Sequence, residues 1–292
     1  MALSAIPTII VSGILTGGVY GLLAMGLSLQ YGVARVLNIS HGEFVMLGAL
    51  LTYTLYTGFG INPLVAAAIV GPLLFAIGFL LQITLFRGLK ARAPAPAAFE
   101  GNALLAAFGL LYVIQNIGMI RWGGVARSAY YLNYAVTFLG MSLRFNRIVA
   151  FTVAVVLGVA VYLFLNRSRM GRAIRATAED PATAGLMGVN VNIVLALCFG
   201  LGALLAGIAG SLITMFYSIS STIGFSNTVI ALIVVVLGGL GSVPGSFIAG
   251  IIIGIVTSLV TSLWQPILVV PVYYGILLAL LLVRPAGLLG KK

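Results

Sequence analysis

Charge is what this chain has least of. Its 292 residues carry four acidic side chains, one histidine and one cysteine, and charged residues of both signs make up 7% of the sequence. A soluble globular domain carries about 25%, so an ordinary water-facing surface is excluded. The same scarcity leaves little from which to build a catalytic or metal-binding constellation. The sequence has no Gly-x-x-x-x-Gly-Lys-Ser/Thr phosphate loop, no His-Glu-x-x-His pair and no metal-spaced cluster of His, Cys and acids. Enzyme activity, ATP hydrolysis included, is therefore not expected of the chain, nor is a cofactor. The single cysteine, Cys198, excludes an internal disulfide and reads as a small packing residue. No basic n-region precedes the first apolar run, which is too long for a cleaved leader, so that run is expected to stay as a membrane segment.

What the chain has instead is 62% hydrophobic residues, a mean hydropathy of +1.22 and 37 glycines. Together these describe an all-α integral membrane protein, a polytopic bundle in which small residues let helix backbones approach closely. At about 20 apolar residues per crossing, nine candidate segments appear: 6–29, 36–56, 63–86, 103–120, 148–165, 193–216, 225–240, 247–263 and 267–283. Two places in this series are irregular, giving about 8–9 crossings with broken or re-entrant segments. The second candidate opens on polar residues, and the seventh and eighth are split by Gly238-Gly-Leu-Gly-Ser-Val-Pro-Gly245. Residues 89–101, with Arg-Ala-Pro-Ala-Pro-Ala-Ala, read as an extended connector.

The net charge of +11 points to a lipid bilayer rather than to nucleic acid, because the basic residues stand at the ends of apolar runs. Arg87, Lys90 and Arg92 form one cluster; Arg167, Arg169, Arg172 and Arg175 a second; Arg284, Lys291 and Lys292 a third. Even numbers of crossings separate them, so all three can be cytoplasmic. Residues 121–146, with Arg121, Arg127, Arg144, Arg147 and the interfacial aromatics Trp122, Tyr130, Tyr131 and Tyr134, then form the outer loop.

Residues 166–192 are the least hydrophobic stretch, flanked by two runs each long enough to cross a bilayer. Ser168 is placed to cap a short amphipathic helix ending near Ala178. Asp180-Pro181 then supplies an N-cap followed by proline at the first helical position, and Gly188 stands where a helix end accepts a left-handed residue. Two short, well-capped helices at a membrane surface suit either an ordinary positive-inside loop or a docking element for a cytoplasmic partner.

Polar residues inside the apolar part gather at Asn38-Ile-Ser-His-Gly-Glu43. Ser40 and Glu43 stand at capping-box spacing, which predicts a helix starting at Ser40. Two readings are open here. If the break lies within the bilayer, Asn38, Ser40, His41 and Glu43 line or gate a path, since charge at that depth costs at least ~2.5 kcal/mol and usually faces a cavity. If it lies near the cytoplasmic surface, marked by Arg35, the box is purely structural. Gln30, Gln115, Asn116, Asn227 and Thr228 are further candidates for the same route. Phe44-Val-Met-Leu-Gly-Ala49 and Val234-Val-Val-Leu-Gly-Gly239 echo each other, each after a polar stretch, a pattern that fits duplicated broken helices, which place a substrate path at the repeat interface.

Four stretches taken in order carry a family resemblance through nearly the whole chain: Asn38-Ile-Ser-His-Gly-Glu-Phe-Val-Met-Leu-Gly48, Leu104-Leu-Ala-Ala-Phe-Gly-Leu-Leu-Tyr-Val-Ile-Gln-Asn116, Gly171-Arg-Ala-Ile-Arg-Ala-Thr-Ala-Glu-Asp180 through Gly188, and Gly238 to Gly245. They resemble the LivH-type permease subunits of branched-chain amino acid ABC importers. The resemblance implies that residues 1–292 form a single permease domain in a bacterial inner membrane. It implies a LivM-like permease, two cytoplasmic ABC ATPases and a periplasmic binding protein as partners. It also implies that 171–189 is a coupling region docking on an ATPase, with Arg172, Arg175, Glu179 and Asp180 at the contact and residues 182–187, Ala184 and Met187 among them, as its apolar face. Similar permeases carry urea, short amides and other amino acids, so the ligand class stays open, and an ion-coupled carrier with Glu43 as its one deep acid is the competing mechanism. A passive channel finds no charged-ring or carbonyl filter motif to support it.

Overall fold

The computed structural model describes residues 6–138, 140–284 and 287–290. Lys291 and Lys292 of the third basic cluster lie outside the described residues. Twelve α-helices are described: α1 (Ile6–Ala34), α2 (His41–Phe59), α3 (Pro63–Leu81), α4 (Arg87–Arg92), α5 (Pro96–Trp122), α6 (Phe145–Arg167), α7 (Arg169–Glu179), α8 (Pro181–Leu186), α9 (Val191–Ile213), α10 (Ile223–Gly238), α11 (Val243–Leu263) and α12 (Val269–Val283). Seven helical stretches are long and apolar enough to cross a membrane, and α10 is a shorter apolar helix. With α2, they account for all nine segments expected from hydropathy.

Three details differ from expectation. Residues 89–101 are mostly helical, not extended. A π-turn (Gln82–Phe86) carries α3 directly into α4, and Pro96 starts α5 at a position where its missing N–H costs no helix bond, so the extended part shrinks to the residues between Arg92 and Pro96. The 121–146 segment, expected only as an outer loop, contains a hairpin: β1 (Ala135–Phe138) and β2 (Met141–Arg144) pair antiparallel, Ala135 opposite Arg144, with Gly140 at φ +77°. The echo between 44–49 and 234–239 falls on the first turns of α2 but on the last turns of α10, so the two stretches are not equivalent places in a repeat.

Helix direction and contact define two ends. The basic end gathers Arg35, Lys90, Thr177 and Pro181 around one cavity, while the hairpin end holds β1, β2 and the start of α6. Between them, α1 and α9 form the buried centre, and α12 lies outside with Tyr273 as its one buried residue.

Glycine sets the closest contacts. α1 and α11 run antiparallel with backbones touching: a Cβ on Gly17 would lie 2.7 Å from the Ile251 Cα, and one on Gly254 would lie 2.3 Å from the Gly17 Cα. α2 meets α9 in the same way, a Cβ on Gly48 falling 2.2 Å from the Gly207 carbonyl oxygen. In lipid, where apolar side chains gain nothing by leaving the solvent, such close van der Waals approach is what associates helices.

Gly254→Leu is therefore expected to force α1 from α11 and to cost about 3 kcal/mol, whereas Gly109→Ala, with open space around its Cα, is expected to change nothing. Thermal unfolding of the detergent-purified variants checks this; a Gly254→Leu protein melting with the parent would remove the seam from any role in stability.

Candidate functional site

The site grows from the break between α1 and α2. Helix α1 ends at Ala34, Arg35 adopts φ +57°, and the chain turns back along α1. It reaches His41 beside Leu23, whose carbonyl oxygen lies 3.1 Å from the His41 Nε2. Leu23 is eleven residues short of Ala34, about 16 Å at 1.5 Å per residue, or half the ~30 Å hydrocarbon thickness. The break thus runs from the exposed Arg35 to a helix start buried deep in the bundle. Because a carbonyl only accepts, Nε2 of His41 carries the proton, and its Nδ1 is buried with no hydrogen-bond partner among the described residues.

Asn38 organises the break. Its Oδ1 accepts from the Ser40 amide at 3.1 Å and from the Ser40 hydroxyl at 2.6 Å. Its Nδ2 donates to Gln30 Oε1 at 3.2 Å, and Gln30 donates to the Phe199 carbonyl at 3.0 Å. The expected capping box is consequently not formed. Ser40 is the N-cap residue, but its hydroxyl is spent on Asn38, and the Glu43 amide bonds the Ser40 carbonyl instead at 3.0 Å. The Glu43 carboxylate is buried with neither oxygen hydrogen-bonded, and its Cδ lies 2.2 Å from where a Cβ on Gly224 would stand.

Gly224 belongs to the first turn of α10, so two helix starts meet here. Thr228 joins them, its hydroxyl accepting from the Gly42 amide at 2.9 Å and donating to the Ile39 carbonyl at 2.9 Å. The chain reaches α10 from the hairpin end through 214–222, where Ile219 exchanges two 2.8 Å backbone bonds with Arg127 and Ser221 donates to the Gly123 carbonyl. Both helix starts carry partial positive charge, and Glu43 sits between them. Asn227 donates to the Ile223 carbonyl of its own helix, and Asn116 does the same to Tyr112 on an exposed face, away from this junction.

At the basic end lies a cavity of about 510 Å³, which meets the break at Arg35, Val36 and Asn38, while His41, Glu43 and Thr228 stand outside its lining. Gln30, Asn38 and Gln82 are its buried amides, Phe86, Phe99 and Phe199 its rings, and Arg35, Lys90 and Glu100 its exposed charges. Beside it stand α7 and α8, capped as the sequence implies: the Gly171 amide donates to Ser168 Oγ at 2.8 Å, the Ala182 amide to Asp180 Oδ1 at 2.8 Å, and Gly188 takes φ +84°. The Thr183 hydroxyl, with the amides of Thr183 and Ala182, holds the Asp180 carboxyl below the usual carboxylate range.

Arg172, Glu179, Asp180 and Met187 are exposed. Ala184 is not: it is buried at 4% exposure against the bundle, and Leu186 and Met187, 88% and 81% exposed, form the apolar tip instead. The Arg175 guanidinium folds back to donate to the Leu165 carbonyl and to Asn166 Oδ1, closing the end of α6. Arg35, whose place in the sequence marks only a surface, donates to the Ala178 carbonyl of α7 at 3.1 Å. It links the α7–α8 pair to the six-residue break. No periodicity announces such a bond, because its partners are 143 positions apart.

Thr228→Val leaves the Gly42 amide and Ile39 carbonyl buried without partners and is expected to cost about 1–3 kcal/mol for each group, while Thr228→Ser keeps both bonds. Melting temperatures of the two variants decide the matter, and a Val variant as stable as the Ser variant would rule out the joint.

A family model described as branched-chain amino acid transport system / permease component matches residues 9–284. The high-affinity branched-chain amino acid transport system permease protein LivH of Escherichia coli K12 is 33% identical over 295 residues, 96% of this chain and 94% of that protein. Its counterpart BraD of Pseudomonas aeruginosa is 30% identical over 97% of this chain and 95% of its own length. The fructose import permease protein FrcC of Rhizobium meliloti is 27% identical over 80% of this chain and 68% of that protein. No solved structure matches. Seven apolar spans and a match running through nearly the whole chain place it among multi-pass membrane transport subunits; it belongs to the family of branched-chain amino acid transport system permease components.

Proposed function

We propose that this chain is a membrane-spanning permease subunit of an ATP-driven importer and forms part of the path for branched-chain and other hydrophobic amino acids. The observation that carries the substrate class is the full-length similarity to LivH and BraD, whose names state it. The likeness to a fructose permease shows how far substrates diverge on related chains, and urea, amides or other amino acids are the alternatives. The chain holds no ATPase motif, so hydrolysis belongs to two cytoplasmic ATPases, with a second, LivM-like permease and a periplasmic binding protein completing the assembly.

In this reading the chain is one permease domain with its basic end in the cytoplasm. The α7–α8 pair docks on an ATPase through Arg172, Glu179, Asp180 and the Leu186–Met187 tip. Arg175 positions the pair by closing α6. Arg35 passes motion of α7 to the break that carries Asn38, Ser40 and His41, and Glu43, between two helix starts, lines the gate above the 510 Å³ cavity. Its unpaired carboxylate is also the observation that favours the second reading, an ion-coupled carrier.

Uptake of labelled leucine into vesicles holding the assembled partners, with internal ATP or with an imposed ion gradient alone, separates the two. Uptake on ATP and none on the gradient is expected. Uptake on the gradient alone would reverse the mechanism and make Glu43 the coupling acid. Arg172→Glu is expected to abolish ATP-driven uptake with membrane insertion unchanged. Arg35→Gln removes a charge-assisted bond of about 1.5 kcal/mol, about tenfold, and is expected to lower leucine carried per ATP split while the ATPase rate holds. A variant losing both in proportion would make Arg35 a stability residue.

A further inference from the structure

A second cavity, about 320 Å³, opens at the hairpin end beside the glycine seam of α1 and α11, with Gly254 of that seam in its lining. Its chemistry differs from that of the first. Hydroxyl side chains dominate the walls, Ser12 and Thr16 from α1 facing Thr257, Ser258 and Thr261 from α11, and no acid is among the lining residues. Most of these hydroxyls have committed their protons: Thr16 donates to the Ser12 carbonyl at 3.0 Å, Ser258 to the Ile9 carbonyl at 2.7 Å and Thr261 to the Thr257 carbonyl at 2.8 Å. A hydroxyl that donates to a carbonyl keeps oxygen lone pairs for another donor. The helix walls therefore offer a rack of acceptors.

One cation completes the lining. Arg147, in the first turns of α6, lies over the Phe216 and Tyr217 rings with its Cζ 5.9 and 6.0 Å from their centroids. Stacking fixes the guanidinium plane without using its N–H groups. Its Nε is buried with no hydrogen-bond partner, and no carboxylate pairs with it among the described residues. A fork of donors that lacks an anion thus faces a rack of acceptors that lack a donor.

That pairing complements an ammonium and a carboxylate carried on one small molecule. We propose that this cavity binds the zwitterionic head of an α-amino acid, its carboxylate on Arg147 and its ammonium on hydroxyl oxygens of α1 and α11. The site receives substrate at the end opposite the α7–α8 pair, and it rests on the transport reading given above. Guanidinium matches carboxylate in a bidentate way that an ammonium side chain cannot. The lining is short of apolar surface, Ile9 being its one aliphatic side chain larger than glycine outside the hydroxyl residues. The site therefore reads the head common to amino acids and leaves side-chain selection to other parts of the importer.

The test uses the full importer in nanodiscs, without ATP or binding protein, carrying Ser262→Cys on the cavity wall. Cys198 is buried, and labelling is read on this chain after its separation from the partner chains by denaturing gel, so a soluble maleimide reports the new thiol. Leucine and glycine are expected to slow labelling equally and saturably, and 3-methylbutylamine, which lacks the carboxylate, is expected not to. Arg147→Gln in the same background should erase protection without changing the unliganded labelling rate, and Arg147→Lys should restore part of it. Protection by leucine but not glycine, or by the amine as well, overturns head-group recognition. Labelling that is slow in lipid, fast in lipid-free detergent and indifferent to amino acids in both assigns the fork to a lipid phosphate and overturns the proposal. ATP-driven leucine uptake is run in parallel on the assembly without the new cysteine. Uptake without protection sinks the site alone, while protection without uptake keeps the site and sinks the transport assignment.

Discussion

A buried amide or carbonyl has no water to turn to, and two of this chain's connections between helices, 35–40 and 214–222, carry backbone into the bundle. Both breaks exist only because other parts of the protein satisfy them. At 35–40 the Asn38 side chain acts as a local backbone, binding Ser40 on one side and Gln30 on the other. At 214–222 the strand-like exchange between Ile219 and Arg127 does the same work, with Asn146 donating to the Met215 carbonyl at 2.8 Å. Thr228 then joins the two helices that follow the breaks. Removing any one of these leaves buried polar groups at the centre of the bundle.

The glycine seams make this arrangement possible. A Cβ at Gly42 would lie 2.0 Å from the Gly224 carbonyl oxygen, and one at Gly210 would lie 2.0 Å from that of Val45. With those positions filled, the starts of α2 and α10 would not meet, and Glu43 would have no pocket against Gly224. Packing and chemistry are here the same constraint, because the backbone approach that glycine allows is what brings the only histidine and one of four acids to one buried place.

The two ends of the bundle divide the remaining polarity. The basic end combines charge, buried amides and aromatic rings beside two capped helices, while the hairpin end combines hydroxyls with an arginine stacked on rings. Arg35 ties the first of these regions to the deep junction through the carbonyl end of α7, where a cation also complements the helix dipole. In a chain with 7% charged residues, Arg35 and Arg175 bridge elements while Lys90, Glu100 and Arg147 flank cavities.

The sequence by itself determined the membrane class, all nine helical segments, the capped α7–α8 pair and the polar break before α2. These follow from local rules: apolar length, capping residues and proline position act within a few residues of chain. Tertiary structure alone decided what the polar side chains do. Ser40 and Glu43 had the spacing of a capping box, but Asn38 competes for the hydroxyl at 2.6 Å and leaves the acid facing Gly224. Ala184 looked like an exposed apolar contact and packs inward, Arg175 closes α6, and Asn227 bonds its own helix while its neighbour Thr228 makes the junction. Hydrogen bonds between positions 143 or 186 apart depend on which helices come into contact, and in a chain this uniformly apolar the contacts are chosen by glycine-to-backbone fit; glycines at four-residue spacing, Gly13, Gly17 and Gly21 on α1 and Gly250 and Gly254 on α11, mark a close-packing face but not the helix it meets.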